Sequence, residues 1–339
     1  MHERKIIQYS MSFIIILLII YVIKAIKINE IIEIIKQVNI YYLIYAMGLV
    51  SVFIIISAYR WKKIVAELDA PISQKFFNCL GFCAFGYLCG LVVPSRIGYY
   101  GKVPLLLKFD HVTLTKSIAA VNIETLLDLY YFAIASILSI FIFMAYKNTI
   151  TPISIGSIFF LFFVFALISF VIYLKFDRII MINENVKKKI LQVKESNLFF
   201  KTGKKIILHI TSLIFDTRDF IINKNLIIQL LFFTILSQIV AVFGLYLIIL
   251  SIETDIPLIY LFAILQISYV VGIISMIPGG FGSSDLTLIF LLQQGGLQLS
   301  ESLNIAVLWR VCTIIPLIFF GTVFAFQSKL CIIPQKINK

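Results

Sequence analysis

The sequence predicts an all-α, polytopic integral membrane protein, with about six full transmembrane helices plus two broken, re-entrant helical hairpins in an inverted-repeat arrangement. Three observations carry this. Of 339 residues, 61% are hydrophobic and 14% charged, with a mean hydropathy of +1.03; soluble domains average about 45–50% and about 25%. Apolar runs recur at the length of a bilayer crossing, about 17–25 residues. Two longer apolar regions each carry a Pro/Gly-rich break. Water could not solvate the surface this composition must expose, so a soluble enzyme or nucleic-acid binder is excluded.

Taken in chain order, the full spans are expected near 10–23, 39–59, 117–146, 153–174, 226–250 and 301–327. The first does not read as a cleavable signal, because no small-residue site follows it and Lys24 and Lys27 come directly after. Regions 76–107 and 257–299 are too long for one crossing. They are interrupted at Pro94-Ser95-Arg96-Ile97-Gly98 and at Pro278-Gly279-Gly280-Phe281-Gly282. The chain reads as one transmembrane domain, 1–339, with repeat-like halves of about 1–146 and 153–327. The motif Pro-x-x-(Ile/Phe)-Gly recurs at an offset of 184 residues. Short interrupted segments in corresponding halves are the best sequence pointer to a transporter's binding site.

Basic residues set the orientation. Segment 175–225 holds 11 Lys/Arg against 5 Asp/Glu and is expected to be cytoplasmic. That placement makes both interrupted regions hairpins, entering from opposite sides, and puts both termini in the cytoplasm. Cytoplasmic segments, among them a loop 60–75 that begins at Arg60, then hold 22 basic residues and outside loops 4, which accounts for most of the net charge of +12. Arg96, Lys102 and Arg310 remain at membrane depth. A cluster at Lys187, Lys188 and Lys189 suits either an anionic leaflet or plain solvent.

Irregular backbone at membrane depth must be buried in protein or line a wet cavity. A helix is expected to begin after each break, near 99 and near 283, with its free N–H groups and positive dipole end near the midplane. Such an end is an anion site. Gly98, Gly279, Gly280 and Gly282 permit close backbone approach, Ser95, Arg96 and Lys102 surround the first break, and Ser283 and Ser284 offer N-cap hydroxyls beside Asp285. Inside the spans, Glu124 and Asp128 share one helical face, and Arg310 falls between them when shifted by the repeat offset. An ionisable residue at this depth costs about 2.5–3.5 kcal/mol, so the acidic pair of one half and the cation of the other are expected to form a buried, hydrated network, coupling or structural.

Other chemistry is poorly supported. The five cysteines form no CxxC pair and read as small apolar helix residues; the three histidines form no HExxH. No metal, cofactor or catalytic residue is expected, and no ATP-binding Gly-rich loop is present. Gly86-x-x-x-Gly90 reads as helix packing.

The breaks and charges together resemble a known family. Pro94-Ser95-Arg96-Ile97-Gly98 with Lys102 and Leu105-Leu106-Leu107-Lys108 is similar to its P-G-R-x-G-E-x-x-R-x-x-L-L-x-R pattern. Glu124-Thr125-Leu126-Leu127-Asp128 resembles its E-R-x-x-D helix, and Pro278-Gly279-Gly280-Phe281-Gly282 with Asp285 its P-G-G-x-G-x-x-E segment. Arg310, Thr313 and Pro316 match its last helix. This is the lysylphosphatidylglycerol synthase transmembrane-region family of flippase-like membrane proteins. Tyr99 stands where the family usually has Glu, and Ser95 replaces a Gly. The soluble aminoacyl-transferring domain of full-length members is not expected here, and the resemblance implies the lipid-translocating portion.

The expected function is translocation of an anionic phospholipid or polyprenyl-phosphate lipid across the cytoplasmic membrane of a prokaryote. Ser95, Arg96, Gly98, Lys102, Gly279, Gly280, Gly282, Ser283 and Arg310 are the expected substrate contacts, with Glu124, Asp128 and Asp285 as the network. The expected partners are the bilayer and a lipid with an anionic headgroup, with self-association or a lipid-modifying enzyme as further possibilities and no nucleic acid. Two other classes compete: an accessory subunit of a lipid-modifying or glycolipid-synthesising enzyme, and a membrane glycosyltransferase or aminoacyltransferase. The 175–225 segment lacks an Asp-x-Asp metal motif, which weighs against the transferase.

Overall fold

The computed structural model describes residues 38–68, 70, 75–93, 95–146 and 223–327. The expected spans 10–23 and 153–174 and the basic segment 175–225 lie outside them. The described residues form eight α-helices and one 3-10 turn: α1 Ile40–Ala66, α2 Phe76–Val92, the 3-10 turn Ser95–Gly101, α3 Lys102–Phe109, α4 Leu114–Tyr146, α5 Lys224–Leu250, α6 Leu258–Ile274, α7 Ser283–Gln294 and α8 Leu299–Gln327. Four of them (α1, α4, α5 and α8) are long and apolar enough to cross a membrane. These are the expected spans 39–59, 117–146, 226–250 and 301–327, each lengthened at one end by helix that continues beyond the apolar run.

Both interrupted regions are helix–break–helix units. Helices α2 and α6 have 17 residues each, about 25 Å at the α-helical rise, short of a hydrocarbon core of about 30 Å. Helix α2 ends where Val93 turns to extended backbone and donates its N–H to Cys89 O. Helix α6 ends at Ser275, and Met276, Gly279, Gly280 and Gly282 then take positive φ.

The order long helix, 17-residue helix, break, short helix, long helix occurs twice. Helices α1 and α5 both have 27 residues, and their bounds are offset by 184. They pack antiparallel, and their ends are tied reciprocally. The Asn39 N–H donates to Ser251 O at 3.0 Å, while the Asn39 side chain caps α1 by accepting from Tyr41 N–H. At the other end Asn223 caps α5 through Leu226 N–H and donates from Nδ2 to Glu67 Oε1 at 3.2 Å. Asn39 and Asn223, like Glu67 and Ser251, are themselves 184 residues apart. The remaining long contacts exchange in the same way, α2 with α8 and α6 with α4. Equivalent helices running antiparallel define a two-fold relation whose axis lies across the helices, not along them.

Small residues let these helices close. A Cβ at Gly81 would meet the Phe324 ring at 2.0 Å, and one at Gly321 would meet Leu88 at 2.6 Å, so α2 and α8 interlock. The core is apolar and aromatic, with Trp61, Phe82 and Tyr260 fully buried. Four cysteines, Cys79, Cys83, Cys89 and Cys312, are buried within helices and form no disulfide among the described residues; Cys331 is outside the described residues.

Candidate functional site

Charge, which lipid and apolar core both exclude, collects on one side of each break. The first group centres on Arg60. Its Nη2 donates to Glu124 Oε1 at 2.9 Å, and its Nη1 donates to Asp128 Oδ1 and to Thr234 Oγ1 at 2.8 Å. Behind it, the fully buried Lys102 donates to Glu124 Oε2 at 2.6 Å and stands 4.3 Å over the Trp61 ring. In front, Arg96 pairs with Asp128 and donates to Tyr99 OH at 2.7 Å. The i, i+4 spacing of Glu124 and Asp128 on α4 presents both carboxylates to one guanidinium.

Arg60 corrects the sequence reading, which placed it in a cytoplasmic loop. Helix α1 runs on to Ala66, and Arg60 is 4% exposed within the bundle. The signal was present: Trp61, Ile64 and Val65 continue the apolar stripe past Arg60, as a solvated loop would not. Four cations, not three, therefore belong to the charged clusters within the bundle.

The second group is built on the second break. Arg310 Nε donates to Asp285 Oδ1 at 2.7 Å, Nη1 to Gly279 O at 2.9 Å, and Nη2 to Gly280 O and Ser284 Oγ. One guanidinium thus satisfies carbonyls that the broken helix leaves open, as membrane-depth backbone requires. Arg310 does not reach Glu124 or Asp128, contrary to the expected cross-half pairing. Its acid is Asp285, which comes from the same half and also accepts the Gly282 N–H at 3.0 Å.

The helix starts also differ from expectation. After the first break the chain forms a 3-10 turn from Ser95, and α-helix begins only at Lys102, not near 99. At the second, Gly282 is the N-cap and the Asp285 carboxylate fills the cap, so the serines do not. The Ser283 hydroxyl lies 2.7 Å from that of Ser275, and Ser284 donates to Gly280 O.

Both groups face one cavity of about 270 Å³. Its lining includes Arg60, Arg96, Asp128, Asp285 and Arg310, with the break backbone at Gly279 and Gly280. Arg96 and Arg310 keep 15% and 20% of their side chains exposed. Of the expected contacts, Arg96, Gly279, Gly280 and Arg310 line this cavity. Lys102, Gly98, Gly282 and Ser283 do not. Lys102 is sealed behind Arg60, and Gly98 is a packing glycine whose added Cβ would meet Gly90 N at 2.2 Å. Gly86 in turn accommodates the Lys102 chain, so Gly86-x-x-x-Gly90 serves the packing of the first break. Ser95 supplies the first residue of the 3-10 turn. Counting every ionisable group in the two clusters, four cations face three carboxylates, a formal charge of +1.

The sequence reading also missed a neutral polar wall. Ser237 and Gln238 on α5 and Ser268 on α6 line the cavity while remaining buried.

In the comparisons with known proteins, the family model described as lysylphosphatidylglycerol synthase TM region matches residues 9–321. No curated protein matches the chain.

Proposed function

Because the chain belongs to the lysylphosphatidylglycerol synthase TM region family, a multi-pass membrane family tied by name to lipid synthesis, we propose that it moves an anionic lipid across the bilayer of a prokaryotic cytoplasmic membrane. The observation that carries this reading is the convergence of both helix breaks on one cavity rimmed by Arg60, Arg96 and Arg310. A phosphate there meets planar guanidinium donors suited to bidentate contact. Arg96 and Arg310 retain accessible surface, whereas Asp128 and Asp285 hold them in place. A formal surplus of one positive charge favours a monoanion.

The rest of the geometry supports translocation over scaffolding. The cavity is of headgroup size and leaves the acyl chains to the surrounding lipid, which Leu91, Ile314 and Leu317 on its lining resemble in polarity. Two halves with antiparallel equivalent helices supply alternative, mirror-like access to a central site, the arrangement used by inverted-repeat transporters. In this reading the hairpins are re-entrant and both termini are cytoplasmic. The phosphate meets the exposed guanidinium edges of Arg96 and Arg310 while Asp128 and Asp285 stay paired with them, so the site is never left with unpaired arginines.

The test is reconstitution of the full chain in liposomes containing a trace of headgroup-labelled anionic lipid. Faster leaflet exchange than in protein-free vesicles is expected, with exchange abolished by Arg310→Ala. Exchange at the protein-free rate for every anionic lipid would overturn the reading and favour an accessory role.

A further inference from the structure

The neutral wall of the cavity has chemistry that the phosphate reading does not use. Ser237 and Ser268 are 5% and 3% exposed, and Gln238 is 6% exposed, yet all three line the cavity. The serine hydroxyls donate to their own helices, to Thr234 O at 2.7 Å and Ile264 O at 2.8 Å. Their remaining lone pairs are free to accept. Gln238 accepts from Gln266 Nε2 at 3.5 Å, which leaves the Gln238 amide N–H groups as donors. Gln266 itself is fully buried and does not line the cavity.

Nothing in the fold requires this polarity. By the 184-residue offset that aligns α5 with α1, Ser237 and Gln238 correspond to Phe53 and Ile54. Those two residues line the same cavity from the opposite half. One wall is therefore apolar and the equivalent wall carries hydroxyl and amide groups. Both carboxylates on the lining are already held by arginine: Asp128 by Arg60 and Arg96, and Asp285 by Arg310. A cationic headgroup would find no free acid and a formally positive site.

We infer that the cavity selects a lipid phosphodiester whose distal headgroup is uncharged and hydroxylated, a glycerol or a sugar, bound by Ser237, Gln238 and Ser268 while the arginines hold the phosphate. This rests on the translocation reading and narrows it. Phosphate alone engages only the cationic rim, and an aminoacylated headgroup is repelled.

The experiment compares four labelled lipids with wild-type protein in liposomes: phosphatidylglycerol, phosphatidic acid with the same acyl chains, a lysyl ester of phosphatidylglycerol, and a polyprenyl-phosphate hexose. The expected result is exchange of at least one hydroxylated lipid about tenfold faster than phosphatidic acid, the worth of about one net hydrogen bond, with the lysyl ester slowest. The phosphatidylglycerol and polyprenyl arms tell which lipid chain is carried. In Ser237→Ala/Gln238→Leu the ratio of hydroxylated lipid to phosphatidic acid is expected to fall to about one. Equal exchange of phosphatidic acid and both hydroxylated lipids, or fastest exchange of the lysyl ester, would overturn the headgroup assignment and leave translocation standing. If no lipid exchanges, translocation itself falls. The wild-type comparison decides the matter even if the double variant fails to fold.

Discussion

Arg60 on α1 and Asp128 on α4 form an ion pair inside the bundle, although 68 positions separate them in the chain. Their side chains are 5% and 6% exposed. Neither charge is affordable alone at this depth, and Arg60 also engages Glu124 and Thr234. It thus joins α1, α4 and α5 at one point. Such a pair adds little net stability over an apolar contact, but breaking it by removing one partner is strongly destabilising.

Arg60→Met is accordingly expected to lower stability by about 3–5 kcal/mol, read as a large fall in apparent melting temperature of detergent-purified protein. Arg60→Lys keeps the charge but cannot fork to both carboxylates and should fall between. An unchanged melting temperature in Arg60→Met would contradict the network.

Lys102 and Glu124 are fully buried against each other. Lys102→Met and Glu124→Gln singly should each destabilise by about 3–5 kcal/mol. The double variant should lose less than the sum of the two, because it removes both members of the pair. A thermodynamic cycle on melting data checks this, and strict additivity would show the contact to be idle.

Glycines separate packing from access. Gly98→Ala is expected to prevent accumulation of folded protein, since its Cβ would sit 2.2 Å from Gly90 N. Gly48→Ala, with nothing within 4 Å, should be neutral or stabilising by up to about 1 kcal/mol. Yield and thermal midpoint of the two variants, measured side by side, are the readout.

At the second break, Asp285→Asn keeps an acceptor for the Gly282 N–H but removes the charge facing Arg310. Its fold should survive with a loss of about 1–3 kcal/mol, as for a hydrogen bond to a charged group. Lipid exchange in liposomes should change much more than the melting temperature. Asp285→Ala also loses the cap, about 1 kcal/mol further. Equal exchange in wild type and Asp285→Asn would remove Asp285 from the transport cycle.

Much of the architecture was legible because apolar length and Pro/Gly interruption are local signals. Four spans and both breaks could be read from runs of Ile, Leu and Phe bounded by Pro94 and Pro278. Arg96, Arg310, Glu124, Asp128 and Asp285 were legible as members of charged clusters because charge inside an apolar run is expensive. Partners were not legible, since pairing depends on helix rotation and crossing. Thus Arg310 meets Asp285 and not α4, and Gly98 faces Gly90 and not the cavity. Arg60 was hidden by its position near a helix end, where a charge ordinarily marks the water boundary. Ser237, Gln238 and Ser268 were hidden because neutral side chains in a span give no charge signal.

The second break is also stitched to the end of α2: the Gly279 N–H donates to Gly90 O at 2.9 Å, while Gly279 O accepts from Arg310. Parting them would give up this hydrogen bond at the cavity wall, a net loss of about 0.5–1.5 kcal/mol. The two interruptions are therefore tied like paired valves on one spindle, so that a displacement of one pulls on the other. The Gly279 amide is expected to exchange its hydrogen more slowly than its neighbours in the break, at a rate that reports how often the two interruptions part.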